Sequence, residues 1–352
     1  MRYGNGLAAL LALSCGVAVS AGPCEPAGDN AQKFSVPFNR TFTKPEENAT
    51  DALYPTAGRW DLGSTYGGRC KCAGATLSNP FFYSTTTPLT KGALRTVNGV
   101  SMQFYEVNRN LQLATEIYLA GGVSDYKPTP WASLSNGGTG SYKCDQGYVS
   151  VSFATGSQGK LHLLISRPFV GTVVVPEFKV LDLYATVGAS TPAATKSVMG
   201  LYMSMNVTVP QNCKLAPGQQ TSIDFGSLLP SQLASPGAMG QKVVNRNFQI
   251  QCTNISAGVT INLALEGKPH GQDARYLETT HRDVAVAMAS GGKLVAPTLQ
   301  GATPGAQQLI PIALDYQSLK AQFDLSSWPV KMQPRPQPGA FQGSATLKFD
   351  FE

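Results

Sequence analysis

Charge is scarce in this sequence: Asp, Glu, Lys and Arg make up only 14% of its 352 residues. The formal net charge of +6 comes from Lys and Arg scattered singly among Gly and Thr. Without a basic run or stripe, a nucleic-acid surface is excluded, and the positive balance reads as solubility with a weak pull toward anionic surfaces. Histidine is rarer still, with only His162, His270 and His281. The first half holds His162 alone, which disfavours a histidine-rich zinc site; set among Leu161, Leu163 and Leu164, His162 reads as a structural strand residue. Neither Gly-x-Ser-x-Gly nor His-Glu-x-x-His occurs. Gly156-Ser157-Gln158-Gly159-Lys160 is similar to a phosphate loop only in its glycines, and a turn accounts for it better. No catalytic residue, cofactor or metal is expected. Long helix-period patterns are missing too, and past residue 21 no apolar run approaches the ~20 residues that span a bilayer.

What is present is β-structure. Gly 36 and Pro 24 punctuate short stretches of Thr, Val, Tyr, Phe and Ser, the pattern of antiparallel sandwiches and barrels. The length suits two domains, each able to bury its own core. The start reads as an export address, with Arg2 in the n-region, Leu7 to Val19 as the apolar h-region and Val19-Ser20-Ala21 as the cleavage site. Residues 1–21 are thus expected to leave a mature chain that begins at Gly22. Lipoprotein cleavage before Cys15 is the alternative, but Ala12-Leu13-Ser14 fits it poorly and the apolar run continues past it.

Of seven cysteines, removal of Cys15 leaves six, an even number that in an oxidising compartment favours three disulfides. Cys213 and Cys252 share the second half, and pairing them closes a loop worth roughly 4 kcal/mol in the chain-entropy model. In the first half Cys70 and Cys72 lie two apart, on one face of a strand, and do not suit each other. This leaves Cys24–Cys70 with Cys72–Cys144, or Cys24–Cys72 with Cys70–Cys144. A zinc site is disfavoured because Cys-x-Cys is not the usual Cys-x₂-Cys knuckle.

Along the chain, Gln32–Thr43 reads as a strand. Gly99–Val107 and Leu111–Ala120 read as a hairpin turning at Asn108–Asn110, and Gly121–Gly140 as a long polar loop. Tyr148–Phe153 and Lys160–Arg167 suggest a second hairpin, and Val170–Val175 with Phe178–Val187 close this half. Gly188–Lys196, small, polar and broken by Pro192, is the linker candidate near 188–197, dividing domains at 22–197 and 198–352. Beyond it Leu201–Val209, Ile223–Gly226, Phe248–Cys252, Val259–Leu265, Val284–Met288, Leu309–Leu314 and Phe341–Phe351 read as strands. About seven strands in this space match an immunoglobulin-like domain in size and spacing.

The last of these alternates without a fault: Phe341, Gly343, Ala345, Leu347, Phe349 and Phe351 are apolar or small, and the residues between them are polar. One face meets a core and the other meets water. No residue follows that could form its next neighbour, so a free side lying over the core must be completed by another chain.

Val207-Thr208-Val209-Pro210-Gln211-Asn212-Cys213, Asp224-Phe225-Gly226, Ile250-Gln251-Cys252 and the alternating C-terminal strand together resemble the pilin domain of chaperone–usher fimbriae. Gly339, fourteenth from the end, and the penultimate Phe351 match that family's C-terminal motif, although Tyr is usual where Phe351 stands. The resemblance covers roughly Val198–Glu352. It implies an incomplete immunoglobulin-like sandwich that lacks its last strand and borrows one, first from a periplasmic chaperone and then from the adjacent pilus subunit. Gly339, Phe341, Gly343, Ala345, Leu347, Phe349 and Phe351 are the implied interface. A shaft subunit carries only a short extension before this domain. Here Gly22 to about Ser197 takes that place, which resembles the two-domain adhesins at the tips of type 1 and P pili.

For such a first domain, a glycan site needs aromatic faces and hydroxyl-binding amides or carboxylates. Asp125, Tyr126, Trp131 and Asn136 offer these within the long polar loop, and Trp60, Asp61 and Tyr66 offer them beside the cysteine pair. The competing reading of each aromatic is a place in the core.

The expectation is therefore an all-β protein: an N-terminal β-sandwich or barrel-like receptor-binding domain, followed by a C-terminal incomplete immunoglobulin-like pilin domain. It would be exported through the periplasm to a fimbrial tip at the bacterial surface. Its expected partners are the chaperone, the outer-membrane usher, the adjacent subunit and a host or surface glycan or glycoprotein. The alternatives are a minor or terminating structural subunit that binds no receptor and, further off, a secreted β-rich hydrolase.

Overall fold

The computed structural model describes residues 22–72, 74–78, 80–187 and 196–352. The expected leader at 1–21 and most of the expected linker at 188–197 lie outside the described residues. The first unit packs two main sheets around one core. One runs Leu53–Asp61, Gln158–Ile165, Leu111–Leu119, Val100–Asn108 and Thr90–Val97, with Asp125–Pro128 added against Leu111–Leu119. The other runs Leu134–Ser135, Phe81–Thr86, Gly171–Val187, Met199–Val209 and Gln32–Thr41. Alternation dictates the packing: Phe34, Val36 and Phe38 point inward from one strand, and Leu161, Leu163 and Ile165 from the facing sheet. A smaller sheet of Cys24–Pro26, Tyr66–Lys71 and Tyr148–Phe153 closes one end. It is stapled by Cys24–Cys70, and Cys72–Cys144 ties it to the next loop; of the two pairings left open, this is the first.

The hydrogen bonding corrects several expectations. Met199–Val209 pairs antiparallel with Gly171–Val187 and parallel with Gln32–Thr41, and its inward residues join the first core. The five-stranded sheet of the first unit therefore includes Met199–Val209, which follows the division expected at 197/198. Alternation shows that a strand has a buried face but not whose core that face meets. Tyr148–Phe153 and Gln158–Ile165 do not form a hairpin; the first pairs with Tyr66–Lys71 and the second with Leu53–Asp61 and Leu111–Leu119. The loop expected at 121–140 holds two short strands, Asp125–Pro128 and Leu134–Ser135.

The second unit is a smaller sandwich. Its larger sheet runs Asn212–Leu215, Val244–Thr253, Lys320–Lys331, Val284–Ser290, Asp273–Leu277 and Pro269–His270, with Lys293–Leu294 paired to Val284–Ser290. Cys213 sits opposite Cys252 in the ladder and is bonded to it. The facing sheet has three strands, Leu309–Ile312, Ile261–Glu266 and Thr346–Phe351. Lys320–Lys331 escaped the sequence reading, although Ala321, Phe323 and Leu325 alternate inward. Ile223–Gly226, read as a strand, joins no ladder.

The C-terminal strand is shorter than expected, beginning at Thr346 rather than Phe341. Before it the chain crosses toward the larger sheet: Thr280 N–H donates to Gln342 O at 2.8 Å, and Gln342 N–H donates to Thr280 Oγ1 at 3.0 Å. A side chain at Gly339 would place its Cβ 2.9 Å from the His281 ring, and one at Gly343 would place it 3.1 Å from Glu278 O. Gly343 lies ahead of the strand and allows the chain to pass close to Glu278.

Candidate functional site

Thr346–Phe351 has one ladder partner, Ile261–Glu266, in a register running from Thr346 opposite Glu266 to Phe351 opposite Ile261. No strand pairs with its other side among the described residues. Ile261, Leu263 and Leu265 of the partner are fully buried, whereas Leu347, Phe349 and Phe351 are only half-buried against the same core. Phe225 and Phe341, stacked with ring centroids 6.1 Å apart, and Leu215 share that partial exposure. Polar positions of the strand face away; Lys348 pairs with Glu266 at 3.0 Å and holds the Glu266 carboxyl below its usual range. An open backbone edge beside half-covered apolar side chains is a hazard in an isolated chain. It also suits an added extended strand, whose ladder hydrogen bonds each contribute ~1 kcal/mol net and whose buried side chains contribute ~1.5–3 kcal/mol each.

The seven candidate receptor residues of the first unit scatter. Trp60 and Tyr66 are in the core: the Trp60 indole N–H donates to Gly156 O at 3.0 Å and the Tyr66 hydroxyl to Thr155 O at 2.6 Å. Neither presents a face to a ligand, which corrects their reading as a sugar platform. Asn136 is buried as well, its Oδ1 accepting from Phe81 N–H at 3.1 Å and Gly138 N–H at 3.0 Å, so it holds loop geometry. Trp131 is half-buried against the core, its indole Nε1 enclosed without a protein partner among the described residues. Asp125 is exposed and pairs with Lys127 at 2.8 Å. Asp61 is exposed, with Oδ1 accepting from Gly63 N–H at 2.8 Å.

Tyr126 and Asp61, from the two separate sequence clusters, come to one sheet face. The Tyr126 hydroxyl donates to Gln158 Oε1 at 3.2 Å, its ring meets Tyr118 edge-on at 5.3 Å, and Lys160 Nζ sits 4.0 Å from its centroid. Gln158 lies opposite Asp61 in the ladder. Sequence reading missed Tyr118, Gln158 and Lys160; the alternation of Leu111–Leu119 and Gln158–Ile165, which sets them opposite the core residues, was the available signal.

On the same face His162 is fully buried and bonded at both nitrogens. Nδ1 accepts from Thr56 N–H at 3.0 Å, which places the proton on Nε2, 3.2 Å from Glu116 Oε2; Lys160 Nζ reaches the same oxygen at 3.3 Å. Burial lowers the His162 pKa, outweighing the opposing pull of Glu116. A second ring proton would also point at the Thr56 N–H. Because the folded value lies below the unfolded ~6.5, the stabilisation is complete above that pH and is lost as pH falls toward the folded value. Thermal melts at pH 7.5 and 5.0 should therefore differ more in the native chain than in His162→Gln; equal differences would rule this out.

Among the described residues no cluster of three His, Cys, Asp or Glu side chains is placed to hold a metal, and no helix is long and apolar enough to cross a membrane.

The chain thus has a β-sandwich with an open edge, preceded by a larger β-unit with its own core. The family model for fimbrial protein matches residues 201–352. Protein LpfD of Salmonella typhimurium is 30% identical over 345 residues, covering 94% of this chain and 92% of that protein. The type 1 fimbrin D-mannose specific adhesin of the same organism is 27% identical over 199 residues, covering 54% of this chain and 56% of that protein. The crystal structure of the CupB6 tip adhesin from Pseudomonas aeruginosa is similar at 11% identity and a TM-score of 0.40, with 94% of each chain covered. The chain belongs to the family of fimbrial proteins.

Proposed function

We propose that this fimbrial adhesin joins its fibre by accepting a β-strand beside Thr346–Phe351, and that its first unit binds a surface receptor, a glycan. The strand would come first from a periplasmic chaperone, at the outer-membrane usher it would be exchanged, and the next pilus subunit would supply its replacement. One observation carries the assembly reading: Leu347, Phe349 and Phe351 are half-exposed on a strand with a single ladder partner. A peptide of alternating apolar residues, added to the refolded full chain, should raise its Tm with dependence on peptide concentration. A scrambled peptide of equal composition that works as well would sink the strand-addition reading.

The receptor reading is supported by family membership and by the separate core of the first unit. A relative described as D-mannose specific makes glycans the first class to test. Binding of the full chain to a glycan array tests it. If only a protein receptor or no receptor is found, the glycan reading fails and the strand-addition reading stands.

A further inference from the structure

The outer face of the first unit's larger main sheet carries a polar and aromatic patch that the fold brings together from four strands. Trp60, Leu161 and Ile117 point into the core, so Arg59 and Asp61, Gln158 and Lys160, and Glu116 and Tyr118 point out. Tyr126, opposite Tyr118 in the ladder, shares this face and lies across it, as its hydroxyl bond to Gln158 shows.

Two kinds of group on this face remain available. The tyrosine pair gives half-exposed ring surface held by edge-on contact and by the Lys160 ammonium. Asp61 uses one carboxylate oxygen on Gly63 N–H, and Gln158 uses only its carbonyl oxygen, on Tyr126. Asp61 Oδ2, the Gln158 amide N–H₂ and the exposed Arg59 guanidinium have no protein partner among the described residues. This set of an acceptor and two donors beside aromatic rings suits the hydroxyls and the apolar face of a sugar ring.

Charge decides which sugar. The face carries two cations, Arg59 and Lys160, against two carboxylates, Asp61 and Glu116; Lys160 is already paired with Glu116 at 3.3 Å and also feels Asp125, which pairs with Lys127 at 2.8 Å. His162, buried beneath Glu116, stays neutral near pH 7. An acidic sugar would meet no excess of positive charge here and would face the Asp61 carboxylate. We propose that this face, centred on Tyr126, Tyr118 and Gln158 and flanked by Asp61 and Arg59, binds a neutral hexopyranose of a surface glycan.

The proposal rests on the adhesin reading above, and its test separates the two. The full chain and the variants Tyr126→Ala, Tyr126→Phe, Gln158→Ala and Asp61→Asn are applied to an array of hexopyranose-terminated glycans with their sialylated counterparts. Neutral glycans should bind the native chain, with a loss of about tenfold or more in Tyr126→Ala, Gln158→Ala and Asp61→Asn. Tyr126→Phe, which keeps the ring, should lose less than Tyr126→Ala. If Tyr126→Ala does not fold, Gln158→Ala and Asp61→Asn carry the decision. Native-level binding by the folded variants places the site elsewhere and leaves the adhesin reading intact. Binding confined to sialylated glycans overturns the neutral-sugar assignment. If the native chain binds no glycan at all, the glycan reading and this site fall together.

Discussion

Phe349→Glu should abolish recovery of this chain in a complex with its periplasmic chaperone. Phe349 stands opposite Leu263, which is fully buried, and is itself half-covered by the core of the second unit. Removing the half-covered ring costs ~2 kcal/mol, less than the ~3–5 kcal/mol of a fully buried one. An added strand would then enclose the new carboxylate without a cation, because Lys348 points to the other face and pairs with Glu266. Enclosing an unpaired carboxylate adds several kcal/mol or forces its protonation. The product is a groove that neither closes itself nor accepts a strand, and an exposed subunit of that kind aggregates or is degraded. Asp350→Asn, on the outward face of the same strand, is the control and should co-purify normally. Equal yields of complex from Phe349→Glu and the native chain would refute strand addition at this edge.

Gly159→Val should unfold the first unit. A Cβ at Gly159 would sit 2.0 Å from two atoms of the Trp60 ring, which lies flat against the strand with its N–H bonded to Gly156 O. The indole cannot swing away without losing that bond and its contact with Phe34, 6.4 Å between centroids. An overlap this deep exceeds the usual overpacking penalty of ~1–3 kcal/mol, and the released indole leaves a cavity as well. Denaturant unfolding should show the midpoint of the first unit lowered by more than about 4 kcal/mol equivalent, enough to lose it at 37 °C. Gly28→Ala, where an added Cβ meets nothing within 4 Å, should leave the midpoint unchanged. A native-like midpoint in Gly159→Val would mean that Trp60 is not locked over this strand, and would reopen it as a ligand platform.

Trp60 also shows where the sequence stopped being informative. A Trp beside an Asp and a Gly reads equally as a sugar platform or as a core residue. The glycine that admits its ring lies on another strand, far along the chain. Asn136 is similar, since an amide in a polar loop looks available until its oxygen is seen to cap Phe81 N–H. Tyr126 kept a place at the surface and meets Tyr118 by local pairing, but Gln158 and Lys160 come from a strand whose pairing is non-local. The neighbours of Met199–Val209 were hidden for a related reason: Leu201, Met203 and Met205 signal a buried face, and nothing local says that Phe34 and Val36 lie beside them.

Sequence alone determined the β-class and the alternation that makes the C-terminal strand one-sided, because these depend on composition and on neighbours two residues apart; it also paired Cys213 with Cys252, because they are the two cysteines of the second half. Tertiary structure alone decided which strand lacks a second partner, which aromatic rings are enclosed, and which polar groups share a face. Those are consequences of long-range strand pairing, in which residues meet through register across the sheet rather than through proximity along the chain.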